Sequence, residues 1–105
     1  MTEPIDLGHG HTLRFTSWAP DRALNPHRAH LPDVDRIGAI IAHPRPDNGE
    51  PCEGSCLFEG DVAREVFPDK PRWTVESWEP LTLSPSVQCD CGDHGFVKNG
   101  RWVPA

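Results

Sequence analysis

Cys89, Cys91 and His94 fall within six consecutive positions. What such a cluster binds constrains this chain more than any other feature. Thiolates and an imidazole in close sequence suit a soft tetrahedral ion, and zinc is the metal that this donor set favours. The rest of the chain gives a reason for a metal clasp. Only 36% of the 105 residues are hydrophobic, and there are 12 Pro and 9 Gly. Much of the chain is therefore turn and loop, around a modest core built on four Trp and four Phe. A domain this small with few aliphatic side chains needs a disulfide, a metal or an oligomer to hold it.

Cys91-Gly-Asp-His94-Gly95 has the spacing of a zinc knuckle, with His94 in the place of the more usual second Cys. A glycine after the second ligand can take φ > 0 and turn backbone N–H groups toward the sulfur. Four ligands complete a structural site, and Cys52 with Cys56 form the natural second pair. The expected set is Cys52, Cys56, Cys91 and His94 around a structural zinc. Cys89 stands as an alternative ligand for Cys52 or Cys56, or as a buried free thiol. Two disulfides or four free thiols are the competing readings of the same cysteines.

The hydropathy pattern places strands at residues 12–18, 36–43, 56–59, 72–78 and 81–83. Ile37, Ala39 and Ile41 alternate with Gly38, Ile40 and Ala42, so a central strand covered on both faces is expected there. Asp61 reads as the N-cap of one short helix over 62–67, ended by Pro68. Residues 19–35 carry three prolines and no periodicity, a long loop of the kind that is often functional. Phe96–Lys98 and Arg101–Val103 flank Asn99-Gly100, a type I′ hairpin signal that sets Val97 opposite Trp102 and Lys98 opposite Arg101. Residues 1–11, with His9 and His11 among glycines, read as a flexible arm. The expected architecture is a small β-rich (α+β) single domain over 1–105, with antiparallel strands, one short helix and a zinc-ribbon-like C-terminal hairpin. Residues 52–105 form its metal-ribbon part.

The net charge of −6 lacks the basic footprint of a nucleic-acid binder. No apolar run reaches membrane-spanning length. The acidic N-terminus lacks the pattern of a signal peptide, which points to a reducing cytoplasm. No phosphate-binding Gly loop, His-Glu-x-x-His or nucleophile motif is visible, so no catalytic residue is assigned. If one coordination position of the zinc were open to water, Asp93 or Glu53 could serve as its base. Asp90 and Asp93 read more simply as turn or outer-shell residues, and His27 and His30 as solvated loop side chains.

The run Trp73-Thr-Val … Leu81-Thr-Leu-Ser-Pro-Ser-Val87 … Cys89-Asp-Cys-Gly-Asp-His-Gly-Phe-Val-Lys-Asn-Gly-Arg-Trp102 resembles a family of small uncharacterised proteins of bacteriophages, notably those of actinobacteria, and of mobile elements. The resemblance covers the C-terminal half and implies a phage origin and a metal ribbon. The functional expectation is a phage-encoded, non-enzymatic protein-interaction module with a structural zinc. It would act on a host or phage protein, in the host cytoplasm or as a virion accessory. A zinc-dependent hydrolase or nuclease accessory is the alternative.

Overall fold

A computed structural model describes residues 4–105. Among the described residues, nine strands form two sheets. β1 (Ile5–Gly8), β2 (His11–Trp18), β3 (Val34–Pro44), β4 (Pro51–Phe58), β5 (Arg72–Trp78) and β6 (Leu81–Ser84) make one six-stranded sheet in sequence order. β7 (Val87–Gln88), β8 (His94–Lys98) and β9 (Arg101–Pro104) make a three-stranded antiparallel sheet. All pairings are antiparallel except β4–β5, which is parallel. A parallel neighbour needs a crossover, and the single helix α1 (Asp61–Val66) lies in it. Among the described residues, no helix is long and apolar enough to cross a membrane. The described residues extend 44 × 28 × 28 Å, with a radius of gyration of 14.8 Å, above the ~13 Å of a compact chain of this length.

The main core lies where the small sheet covers the large one. Leu7, Leu13, Ile41, Leu81, Leu83, Val97 and Trp102 meet there, all nearly inaccessible. A second cluster packs Val62, Ala63 and Val66 of α1 on Ile37 and Leu31. Leu31 pins the far end of the 19–35 loop, where Arg22 donates to the carbonyl oxygens of Ala29 and Leu31. Ordering by one buried leucine and one guanidinium accounts for a loop with little regular structure of its own.

Several expectations are met and others corrected. The Asn99-Gly100 hairpin forms with the expected register, Val97↔Trp102, Phe96↔Val103 and Lys98↔Arg101, and both turn residues have positive φ. β3 is central, but Gly38, Ile40 and Ala42 face only a partial cover, because α1 spans one end of it. Gly38 is fixed by crowding, since a Cβ there would lie 2.3 Å from the Cys56 carbonyl oxygen. Gly60, not Asp61, occupies the N-cap of α1. The expected arm forms β1 from Ile5 onward, with Leu7 fully buried, because Gly8-His9-Gly10 turns the chain back with three positive φ values. Residues 1–3 lie outside the described residues. The strand expected at 56–59 is the eight-residue β4, which begins at Pro51 and takes in the whole cysteine segment 52–56, because it pairs along its length with β3 from Pro44↔Pro51 to Gly38↔Leu57.

Candidate active site and metal centre

The strand assignment of 52–56 decides which cysteines can share an ion. Four residues along an extended strand separate Cys52 and Cys56 by about 13 Å. Cys56 points into the main core, where burial pushes its thiol up to about 12. Cys52 lies at the open end of the β3–β4 hairpin, paired across it with His43. The 89–93 turn brings Cys89 and Cys91 against that pair. Two backbone bonds close the turn, Cys89 N–H to Asp93 O at 2.8 Å and Gly92 N–H to Cys89 O at 2.9 Å, and Gly92 supplies φ +99°. Gly92, not Gly95, is thus the left-handed glycine of the knuckle. Gly95 is required for a different reason, since a Cβ there would sit 2.5 Å from the Trp102 ring.

The donor atoms of His43, Cys52, Cys89 and Cys91 all lie within 4.8 Å of one another. Cys52 Sγ and Cys89 Sγ are 3.7 Å apart. A tetrahedral ion with metal–sulfur bonds of about 2.3 Å has sulfur–sulfur edges of about 3.8 Å. His43 Nε2 is 3.3 Å from Cys91 Sγ, and the same geometry puts a mixed nitrogen–sulfur edge at about 3.5 Å. His43 Nδ1 lies 3.2 Å from the Ile41 carbonyl oxygen, to which it can donate, leaving Nε2 free to face the thiols. The Asp93 backbone N–H and then His43 draw the Cys91 thiol down to about 7. Cys52, desolvated beside two sulfurs, is pushed up to about 11. Asp93 carries the outer layer: its carboxylate is 2.6 Å from His11 Nε2, and the His11 ring stacks on Trp102 at 4.2 Å. The four residues form a candidate soft-donor metal site of three thiols and one imidazole, and two of the residues expected from sequence lie outside it. His94 is replaced by His43, and Cys56 by Cys89. The expected zinc-ribbon hairpin is not what forms, since β8 and β9 supply none of the four donors. The residues considered as bases are engaged elsewhere, Glu53 with Arg14 at 3.0 Å and Asp93 with His11.

His94 has a different partner. It opens β8 opposite Gln88 of β7, and its Nε2 is 2.9 Å from Ser86 Oγ. With the ring proton on Nδ1, the Ser86 hydroxyl donates to Nε2, the arrangement in which an imidazole can take the hydroxyl proton. His94 is exposed and Ser86 half-buried, so both can meet a substrate. Ser86 is held from behind, because the Trp73 indole N–H donates to its carbonyl oxygen at 3.2 Å. The pair Ser86–His94 is the arrangement that sequence reading missed. Its signal was a Ser and a His on either side of the Cys-x-Cys turn, at the ends of two segments able to pair.

Residues 51–105 match the family of the bacterial ubiquitination-like system serine protease, BubE. The match spans just over half of the chain. The chain belongs to the BubE family. No curated protein and no solved structure matches it. Membership in BubE overturns the expected phage family, and with it the phage-encoded non-enzymatic module, the zinc-hydrolase alternative and the placement in a phage host's cytoplasm or a virion. The residues that suggested a phage ribbon, Leu83 to Val87 and Cys91 with His94, lie inside the BubE match. Within that match His94 is the sole histidine, and the serines are Ser55, Ser77, Ser84 and Ser86.

Proposed function

We propose that this chain is a serine protease of a bacterial ubiquitination-like system, with Ser86 as nucleophile and His94 as general base. The observation that carries the reading is the 2.9 Å contact between Ser86 Oγ and His94 Nε2. It joins the one histidine of the BubE match to one of its four serines. In the reaction Ser86 Oγ adds to the scissile carbonyl carbon while its proton passes to His94 Nε2. His94 then returns that proton to the leaving amine as the carbon–nitrogen bond breaks, leaving an acyl ester on Ser86. Water, deprotonated by His94, attacks the ester and frees Ser86. Trp73 keeps the Ser86 backbone in place through this cycle. A protein substrate fits the family's place in a ubiquitination-like system.

His43, Cys52, Cys89 and Cys91 are assigned to a structural zinc. Held by four protein donors, the metal would have no position left for water and would supply cross-linking rather than Lewis acidity. It would tie the β3–β4 hairpin to the turn that separates Ser86 from His94.

The decisive experiment is labelling with a fluorophosphonate, which reacts with activated serines. The full chain should be labelled at Ser86, as located by peptide mass spectrometry, and Ser86→Ala and His94→Ala should abolish labelling. Labelling that survives Ser86→Ala would reject the assignment.

A further inference from the structure

A cavity of about 250 Å³ lies where β5, β6 and β8 meet, lined mainly by Glu76, Thr82, Ser84, Pro85, Phe96 and Lys98. Its wall neighbours the Ser86–His94 pair along the chain, since Pro85 directly precedes Ser86 and Phe96 follows His94 by two residues on the same exposed face of β8. The hairpin turn beyond Lys98 is tied to β6, where Asn99 N–H donates to Thr82 Oγ1 at 3.0 Å and Gly100 N–H to Leu81 O at 2.8 Å. The cavity is below the roughly 300 Å³ at which small-molecule pockets begin, and it suits one or two side chains.

Two features at and beside this wall bear on what it could take. Phe96 on the wall and Val103, its cross-strand partner just outside it, are 42% and 41% exposed and together offer an apolar surface next to the cavity. Lys98 and Arg101 also stand opposite each other and exposed, and among the described residues neither has a carboxylate within 4.0 Å. Like charges directly opposite are unfavourable, and here they sit in a chain of net charge −6. Glu76 faces the same cavity from β5 and is the one acidic side chain on its wall.

We propose that this cavity is the substrate subsite of the protease. It takes an extended peptide that runs along β8, with an aliphatic or aromatic side chain against Phe96 and Pro85 and an acidic side chain at Lys98 and Arg101. The proposal rests on Ser86 and His94 being the catalytic pair. The spacing follows from strand geometry. At about 3.3 Å per residue, Phe96 lies about 7 Å and Lys98 about 13 Å along the strand from His94. An extended substrate in step with β8 therefore presents its apolar residue two positions, and its acidic residue four positions, from the bond that is cut.

The test uses the full chain and a mixture of synthetic decapeptides, with cleavage products identified by mass spectrometry. The unmodified chain should cut before or after sequences with Leu, Ile or Phe two residues from the bond and Asp or Glu four residues from it. Phe96→Ala should weaken the apolar preference by about tenfold or more. The double variant Lys98→Glu/Arg101→Glu should reverse the charge preference toward Lys or Arg, a change that loss of folding cannot produce. Ser86-dependent cleavage whose preferences are the same in both variants overturns the subsite and leaves the protease intact. If no peptide is cut in a Ser86-dependent way, the protease assignment is what fails. The cavity is then decided by amide NMR shifts on adding an acetylated pentapeptide with one leucine and, two residues from it, one glutamate. Shifts confined to Phe96, Lys98, Arg101 and their neighbours sustain it; shifts elsewhere, or none, overturn it.

Discussion

Two constellations share one turn and are built in opposite ways. The candidate metal site gathers His43, Cys52, Cys89 and Cys91 from three places in the chain, across as many as 48 positions, and is partly or wholly buried. The Ser86–His94 pair is local, eight residues apart, and faces solvent. Between its two members the chain must leave β7, turn and return as β8, and that turn carries Cys89 and Cys91. A two-residue strand such as β7 does not hold its register unaided. A metal held at the long-range site would therefore fix the geometry of the short-range one. Chemistry and clasp are separable by their ligands but coupled by the backbone between them.

Removing the metal gives the largest expected effect. Structural zinc in small domains contributes on the order of 10 kcal/mol, comparable to the whole stability of a domain of this size. Elemental analysis of the purified chain should find one zinc per molecule. A strong chelator should unfold the domain, seen as loss of the Trp near-ultraviolet circular dichroism, and end fluorophosphonate labelling with it. A metal-free chain that keeps its melting temperature would break the coupling between the two regions.

Ser86→Ala comes next and separates the regions from the other side. Loss of the nucleophile in serine proteases costs about 10⁴- to 10⁶-fold in kcat. The alanine should leave zinc content and melting temperature unchanged, because the half-exposed hydroxyl holds no part of the core. A fall in zinc content in this variant would show that the pair supports the metal, the reverse of the dependence argued here.

Gly95→Ala should act on both regions at once. Its Cβ would run into the Trp102 ring at 2.5 Å and the Val103 carbonyl oxygen at 2.8 Å. Overpacking of this kind costs about 1–3 kcal/mol. The Trp102 ring also supports His11, which meets Asp93 behind the metal turn. A lowered melting temperature with weaker zinc retention is the expected result, measured by calorimetry and by competition with a metallochromic chelator.

Much of this arrangement was legible from sequence, and the illegible part has a physical cause. The Asn99-Gly100 hairpin and the short helix, expected over 62–67 and found over Asp61–Val66, depend on spacing within a few residues. The identity of two ligands depends on register between distant strands. His43 looks like the end of an apolar strand until β4 places Cys52 opposite it. Cys56 looks like a ligand until the same pairing shows that it lies about 13 Å from Cys52. The Ser86–His94 pair was hidden by proximity to the thiols, since a Cys-x-x-His step reads as a knuckle. The folded turn separates the two, sending Cys91 inward to His43 and His94 outward to Ser86.

Trp73→Phe should weaken the support of Ser86 without breaking either region. The substitution keeps an aromatic ring and removes the indole N–H, leaving the Ser86 carbonyl oxygen to water or unpaired, at a cost of about 0.5–1.5 kcal/mol. If the bond serves only folding, that amount appears in the melting temperature and labelling proceeds at the original rate. If it positions the nucleophile, the rate constant for fluorophosphonate labelling falls by up to about tenfold while zinc content stays at one per chain. The second outcome is expected, because the bond reaches the backbone of the nucleophile itself.

The smallest effects on zinc content and stability come from the two residues that sequence reading placed at the metal and the structure does not. Cys56→Ala removes a buried sulfur from the main core and lies far along β4 from the site, so zinc content should remain one per chain with a modest drop in melting temperature. His94→Ala changes an exposed side chain, so zinc content and stability should both stay as they are while labelling at Ser86 is lost. Loss of zinc in either variant would restore the ligand set Cys52, Cys56, Cys91 and His94 and dissolve the distinction between clasp and catalyst. Retention of zinc in both, with its loss in His43→Ala, Cys52→Ser, Cys89→Ser and Cys91→Ser, would fix His43 and Cys89 as the members that complete the tetrahedron.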